Sequence, residues 1–122
     1  MGNYTGLRGE IMIKPEFHDN FKTSSVVDFE WDEILDENHP YLLDYRKNFI
    51  PFGSICYLDW DDVPVTFENG VLAFTCSLKN YNNTIDTFIN TVLPIIGDAW
   101  YLEEMYEYDD ESTIHAHNEE LL

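Results

Sequence analysis

The chain reads as one α+β domain, a mostly antiparallel sheet of four to five strands with two helices on one face, in a ferredoxin-like, split βαβ topology. Three observations predict this class. Apolar residues recur at period two in LRGEIMI and on both sides of Asn69-Gly70, they recur at helical spacing in two other stretches, and the two kinds of stretch alternate along 122 residues, a length suited to one core. With 44% hydrophobic and 16% aromatic residues, the composition excludes the disordered class.

Leu7, Ile11 and Ile13 stand at even separations before Lys14-Pro15, so residues 7–13 form a first strand. Within 17–37, Val26, Val27, Trp31, Ile34 and Leu35 gather on one side of a first helix and Asp28, Asp32, Glu33 and Asp36 largely on the other, with Ser24 or Ser25 as its cap. His39-Pro40 interrupts it, because the residue before proline is pushed out of the helical region. Tyr41, Leu42 and Tyr45 restart a short helical turn, and the connector 48–53 tucks Phe49, Ile50 and Phe52 under the core. Residues 54–58 read as another strand and 59–62 as an acidic bend. Folding the chain about Asn69-Gly70 as a type I′ turn pairs Phe67 with Leu72, Val65 with Phe74 and Val63 with Cys76, all facing one side. The run 82–84 offers a cap for a second helix, which carries Ile85, Phe88, Ile89, Val92 and Leu93 on one face and ends by Gly97. Residues 100–108 and 113–117 favour strands, although EEMYEY also has helical character, and 118–122 is expected to fray.

Cys56 and Cys76 lack CxxC spacing and lie in apolar runs, which points to reduced core thiols in a cytoplasmic protein rather than a disulfide. The first residues contain no apolar stretch long enough for a signal or a spanning helix, so no membrane association is expected.

No Gly-rich phosphate loop, GxSxG, HExxH or zinc-ligand quartet is present. His115 and His117 would share a strand face near Asp109, Asp110 and Glu111, the donor types of a metal site, but a solvated pair is the plainer reading. The carboxylate pairs Asp61/Asp62 and Glu103/Glu104 would need one raised pKa in a cleft to act as acid and base, and surface acids are the default. Cys56, with His18 and His39 upstream, reads as an inert strand cysteine. The expectation is therefore a non-enzymatic protein with no metal and no cofactor.

Charge is the functional signal. The 24 acids and six bases leave a formal −18, as many charges as about 30 Å of duplex at one per about 1.7 Å. Lys79 is the last base, and residues 103–111, EEMYEYDDE, hold six carboxylates without a cation. Further blocks are Asp28, Glu30, Asp32, Glu33, Asp36 and Glu37 on the first helix, and Asp59, Asp61 and Asp62 around Trp60. Such a surface repels nucleic acid and anionic membranes and attracts basic proteins. Carboxylates take the place of phosphates toward Arg and Lys, while Tyr and Trp add rigid contact area. The candidate partner-binding residues are therefore Glu103, Glu104, Tyr106, Glu107, Tyr108, Asp109, Asp110 and Glu111, with Asp59, Trp60, Asp61 and Asp62. The plainer alternative is that the charge serves solubility and the rings serve the core and sheet.

The segments YTGLRGEI (4–11), NFIPFGS (48–54) and FENGVLAFTCSLKNY (67–81) resemble those of small acidic, mostly uncharacterised proteins of phages, prophages and related mobile elements. The resemblance carries over no functional residue. It implies a setting in which small acidic folds inhibit host defence, including anti-CRISPR-like and anti-restriction roles. The expected function is inhibition of a basic partner, a nuclease or other nucleic-acid-binding protein, by nucleic-acid mimicry. An immunity protein that neutralises a cognate toxin nuclease is the alternative, and the chain is expected to be a monomer or homodimer.

Overall fold

The computed structural model describes residues 3–22 and 26–122; the Ser24 or Ser25 cap lies outside them. Its strands are β1 (Tyr4–Ile13), β2 (Thr66–Glu68), β3 (Val71–Lys79), β4 (Gly97–Tyr106) and β5 (Thr113–His117). They form one open sheet in the order β2-β3-β1-β4-β5, antiparallel at every step. β1 begins at Tyr4, earlier than its apolar alternation indicates, because β4 and β3 pair with it along nearly its whole length. β3 and β4 both run against β1 and are therefore parallel to each other, so the chain between them has to cross one face of the sheet.

That crossing is a continuous helical run over 84–96, made of α-helix (Thr84–Thr87), a π turn (Phe88–Val92) and α-helix (Leu93–Ile96). The expected second helix is thus present. Asn83 precedes it with φ 54° and makes no side-chain cap; Asn80 Oδ1 instead accepts from the Ile85 amide at 3.0 Å. Pro94 accounts for the π turn, since it has no N–H to give the Asn90 carbonyl and its ring would crowd that oxygen. Ile85, Phe88, Val92, Leu93 and Ile96 are buried against the sheet.

The first helix is a correction. The described residues of the long connection 14–65 form short helical turns, at Pro15–Phe17, His18–Phe21, Trp31–Glu33, Pro40–Leu43 and Phe49–Phe52. Phe29 and Trp31 are both buried, a two-residue spacing that only extended chain can direct inward, and Glu30 between them has φ −121° and ψ 141°. Burial of these rings overrides a helical pattern that β-branched Val26-Val27 and the self-repelling acids would not have sustained. Several of the acids hold turns instead. Glu30 and Glu33 make a capping box, Asp36 Oδ1 accepts from the Asn38 amide at 3.0 Å, and Asp44 Oδ1 accepts from the Arg46 amide at 2.9 Å.

Trp31 is the centre of the core. It has no exposed surface, its Nε1–H donates to the Ile50 carbonyl at 2.6 Å, and Phe21, Phe29, Tyr41 and Phe88 surround it edge-on at centroid distances of 4.9 to 6.3 Å. Leu7, Ile11, Leu72 and Phe74 close the core from the sheet.

Asn69 and Gly70, at φ 54° and 79°, make the expected I′ turn, and Phe67 pairs with Leu72. The pairs Val65–Phe74 and Val63–Cys76 do not form, because β2 is only three residues long. Pro64 has no amide to donate, and the Ser77 amide is taken by the Gly53 carbonyl at 3.3 Å. Residues 54–58 are not a strand either; the Cys56 amide donates to Ser77 Oγ at 3.0 Å and Tyr57 sits at φ 61°. The stretch 54–65 instead passes round the β3 edge and lies as a strap over the sheet face opposite the helix. Residues 118–122 are exposed and include a 3-10 turn (Glu119–Leu121), with Asn118 Nδ2 donating to the Asp98 carbonyl at 3.2 Å.

The result is an α+β fold with one open antiparallel sheet and, among the described residues, a single substantial helical segment. A fifth strand outside β4, and a first connection whose described residues hold no helix longer than four residues, leave the ferredoxin-like order unestablished. Trp31→Ala is expected to destabilise the protein by about 3–5 kcal/mol, and Trp31→Phe by about 1–3 kcal/mol through the unmet Ile50 carbonyl and lost volume. Urea denaturation checks both, and a loss below about 1 kcal/mol for the alanine variant would contradict this account of the core.

Candidate protein-binding surface

Arg8 joins the two sets of candidate residues. Leu7 and Ile11 take the core side of β1, so alternation sends Arg8 and Glu10 to the face that the strap crosses. Arg8 is in register with Glu103 on β4 and its Nε donates to Glu103 Oε1 at 2.7 Å. Its guanidinium also stacks on Trp60, 4.1 Å from the ring centroid. One cation thereby holds the 59–62 bend beside the carboxylate end of β4.

Gly6 allows that close approach. A Cβ at this position would lie 2.5 Å from the Trp60 ring and 2.6 Å from Leu58, so only glycine leaves space for the strap. Trp60 is half-buried between Gly6 and Arg8, where it clamps the strap. Asp59, Asp61 and Asp62 beside it are exposed.

The six carboxylates of 103–111 divide into two groups. Glu103 meets Arg8, and a Ser112 hydrogen bond together with that guanidinium holds its carboxyl below the usual carboxylate range. Glu104, turned to the helix side with its neighbour Leu102, lies 2.9 Å from His115 Nε2. Glu107 Oε1 accepts from the Tyr4 amide at 2.7 Å. These three are engaged within the fold, Glu103 and Glu107 by β1, 95 and 103 positions away, and Glu104 by β5 across the hairpin. Asp109, Asp110 and Glu111, at the tip of the β4–β5 hairpin, are exposed and form no ion pair among the described residues.

The two tyrosines also differ. Tyr106 is half-buried, and its hydroxyl accepts from Asn3 Nδ2 at 2.5 Å. Tyr108 is 72% exposed and rests edge-on against Tyr106 at 5.7 Å, so the ring stands beside the three unpaired acids at the tip. The remaining acidic block, 28–37, lies on the irregular connection; Asp32 pairs with Lys47 at 3.3 Å and the capping box uses Glu30 and Glu33. It is not an amphipathic face.

Between the strap and the open sheet lies a groove of about 490 Å³, bounded by Arg8, Glu10, Val63, Thr75, Tyr101 and Glu103. His115 and His117 share the helix-side face of β5, as expected, and His117 stacks on Trp100 at 4.6 Å. Among the described residues, no three His, Cys, Asp or Glu side chains converge as a metal site requires. Cys56 and Cys76 are both free thiols; Cys76 is fully buried, which raises its pKa strongly and keeps it protonated. No described helix is long and apolar enough to cross a membrane. Sequence reasoning missed Gly6, Arg8 and Ser112. The only local signal was a single cation on the outward phase of a strand.

Because the folded state lowers the pKa of Glu103, its contribution to stability is present above the unfolded carboxylate range and is lost as pH falls through the folded value. The pair is partly exposed, so Glu103→Gln is expected to cost only about 0.5–1 kcal/mol at pH 7, and the two proteins should converge in acid, once pH has fallen through the lowered folded value. Urea unfolding at pH 7 and in acid checks this; a difference that persists in acid would assign the effect to packing.

No protein-family model, no curated protein and no solved structure matches the chain.

Proposed function

We propose that this protein acts by binding rather than by catalysis, and that it inhibits a basic, nucleic-acid-handling protein by presenting carboxylates where that partner expects phosphates. The observation that carries the reading is the hairpin tip. Asp109, Asp110 and Glu111 are exposed and unpaired beside the exposed Tyr108 ring, while neighbouring acids are engaged within the fold. The Arg8 clamp supports it further, since it sets Asp59, Asp61 and Asp62 beside β4 and extends the anionic surface beyond the tip. Three unpaired carboxylates together raise the local potential that steers a cationic surface, and each meets Arg or Lys in a charge-assisted hydrogen bond. A scaffold of ferredoxin-like type, with its first crossover helix replaced by turns, fits this role without carrying any activity itself.

The reading extends to an anti-defence setting of the anti-CRISPR or anti-restriction kind through the segment resemblance. A toxin nuclease as the captured partner would instead make the protein an immunity protein.

The test is capture from the natural host at low salt, followed by binding of the purified partner. The expected partner is basic and binds nucleic acid, its complex weakens as salt rises, and nucleic acid displaces the protein. Reversing the tip with Asp109→Lys, Asp110→Lys and Glu111→Lys is expected to weaken binding by about a hundredfold or more, with the fold intact by circular dichroism. Full affinity in the reversed variant would remove mimicry by this surface and leave solubility as the explanation of its charge.

A further inference from the structure

From the cavity beside β3, we infer that this protein also has a binding site for a small organic anion bearing a planar ring. One wall, Tyr4, is bonded to Glu107 near the acidic tip, but the site is lined by other residues than the tip's and does not depend on the function proposed above. It is a cavity of about 450 Å³, within the range of small-molecule sites, bounded by Tyr4, Tyr45, Arg46, Phe49, Phe52 and Lys79 among others.

Arg46 is the central observation. It is 7% exposed and lines the cavity, yet its guanidinium makes no hydrogen bond and no ion pair among the described residues. Among the described residues no buried side-chain nitrogen lacks a partner, so the unbonded Arg46 nitrogens are not sealed off in a residue that lines the cavity. The nearest carboxylate in sequence, Asp44, is occupied: Oδ1 accepts from the Arg46 amide and Oδ2 from Thr84 Oγ1. Tyr45 and Tyr81 hold the guanidinium by its ring contacts, at 4.2 and 4.9 Å from their centroids. What a stacked guanidinium retains is its N–H edge, the fork that pairs with two oxygens of a carboxylate or phosphate.

Lys79 provides the second cation. Its Nζ lies over the Tyr4 ring at 5.6 Å, with no carboxylate within ion-pair distance among the described residues. In a chain with four acids to each base, two of the six bases line this one cavity and neither is neutralised. The walls describe the rest of the ligand. Tyr45, Phe49 and Phe52 are 74%, 47% and 37% exposed and present ring surface where a planar group can stack. A polyanion is disfavoured by the net charge of −18, whereas a single anionic group gains from two unneutralised bases that line the same cavity.

Amide chemical shifts of the intact protein test the inference with four probes: adenosine 5′-monophosphate, benzoate, adenosine and inorganic phosphate. Saturable shifts confined to residues around Tyr4, 45–57 and 77–81 are expected with at least one of the first two. Saturation by the nucleotide identifies a phosphate ligand and saturation by benzoate a carboxylate. Adenosine and phosphate alone are expected to bind about tenfold or more weakly than the nucleotide if phosphate is the anion. Lys79→Met, at a partly exposed position, is expected to weaken the bound probe by about fivefold or more, and Arg46→Gln to abolish binding. Should Arg46→Gln fail to fold, Lys79→Met decides the matter. No saturable shift with either ring-bearing anion up to about 10 mM, the weak end of specific binding, overturns the inference. So do shifts that Lys79→Met leaves unchanged, or inorganic phosphate binding as tightly as the nucleotide.

Discussion

Everything in this fold is arranged around the need to bury one indole. Trp31 arrives on a stretch with little regular structure, in a segment dense with acids, and is nevertheless fully enclosed. Its N–H is satisfied by the Ile50 carbonyl and its edges by four aromatic rings, one of them Phe88 on the helical run. The long connection from 14 to 65 therefore does the work of a helix layer without being a helix. Its apolar side chains cover the sheet, while its short turns satisfy the backbone locally. That solution also explains part of the acidic composition, because Asp and Glu close turns well and several of these acids accept backbone amides.

A second constraint sets the opposite face. The sheet has helix and aromatic connection on one side only, and the other side is crossed by the 54–65 strap. Gly6 gives that strap room, Ser77 fixes its start through Ser54 and Cys56, and Arg8 fixes its middle through Trp60. Arg8 thus has two tasks, packing the strap and neutralising Glu103, and the acids left over at the hairpin tip are those beyond its reach.

The parts of the fold legible in the sequence are those governed by neighbours. The Asn69-Gly70 turn, the helix carrying Ile85 to Leu93, and the strands at 97–106 and 113–117 follow from local chemistry and from periods of two or 3.6. The 17–37 segment was not legible, because Trp31 is placed by Tyr41 and Phe88 and Phe29 by Phe52, contacts that no local period encodes. The strap was misread for the same reason: SICYL has strand composition, yet the edge it would join is already claimed by Gly53 at Ser77. For the surface, the acids and Tyr108 were legible as a cluster. The division between engaged and free carboxylates was not, since Arg8 lies 95 positions from Glu103. Arg46 and Lys79 were equally silent, as isolated bases in a strongly acidic chain carry no motif.

The place of β1 has a consequence for how the chain reaches this structure. It is the central strand, yet both of its partners, 71–79 and 97–106, follow the whole irregular excursion. During synthesis Leu7, Ile11 and Ile13 therefore emerge before both partners and wait, without a template, until 71–79 and 97–106 have been made. Local pieces such as the I′ hairpin can form meanwhile, but the sheet closes only through contacts of long sequence separation, which are slow to find. Until then the nascent strand is an apolar, two-edged segment of the kind that chaperones hold.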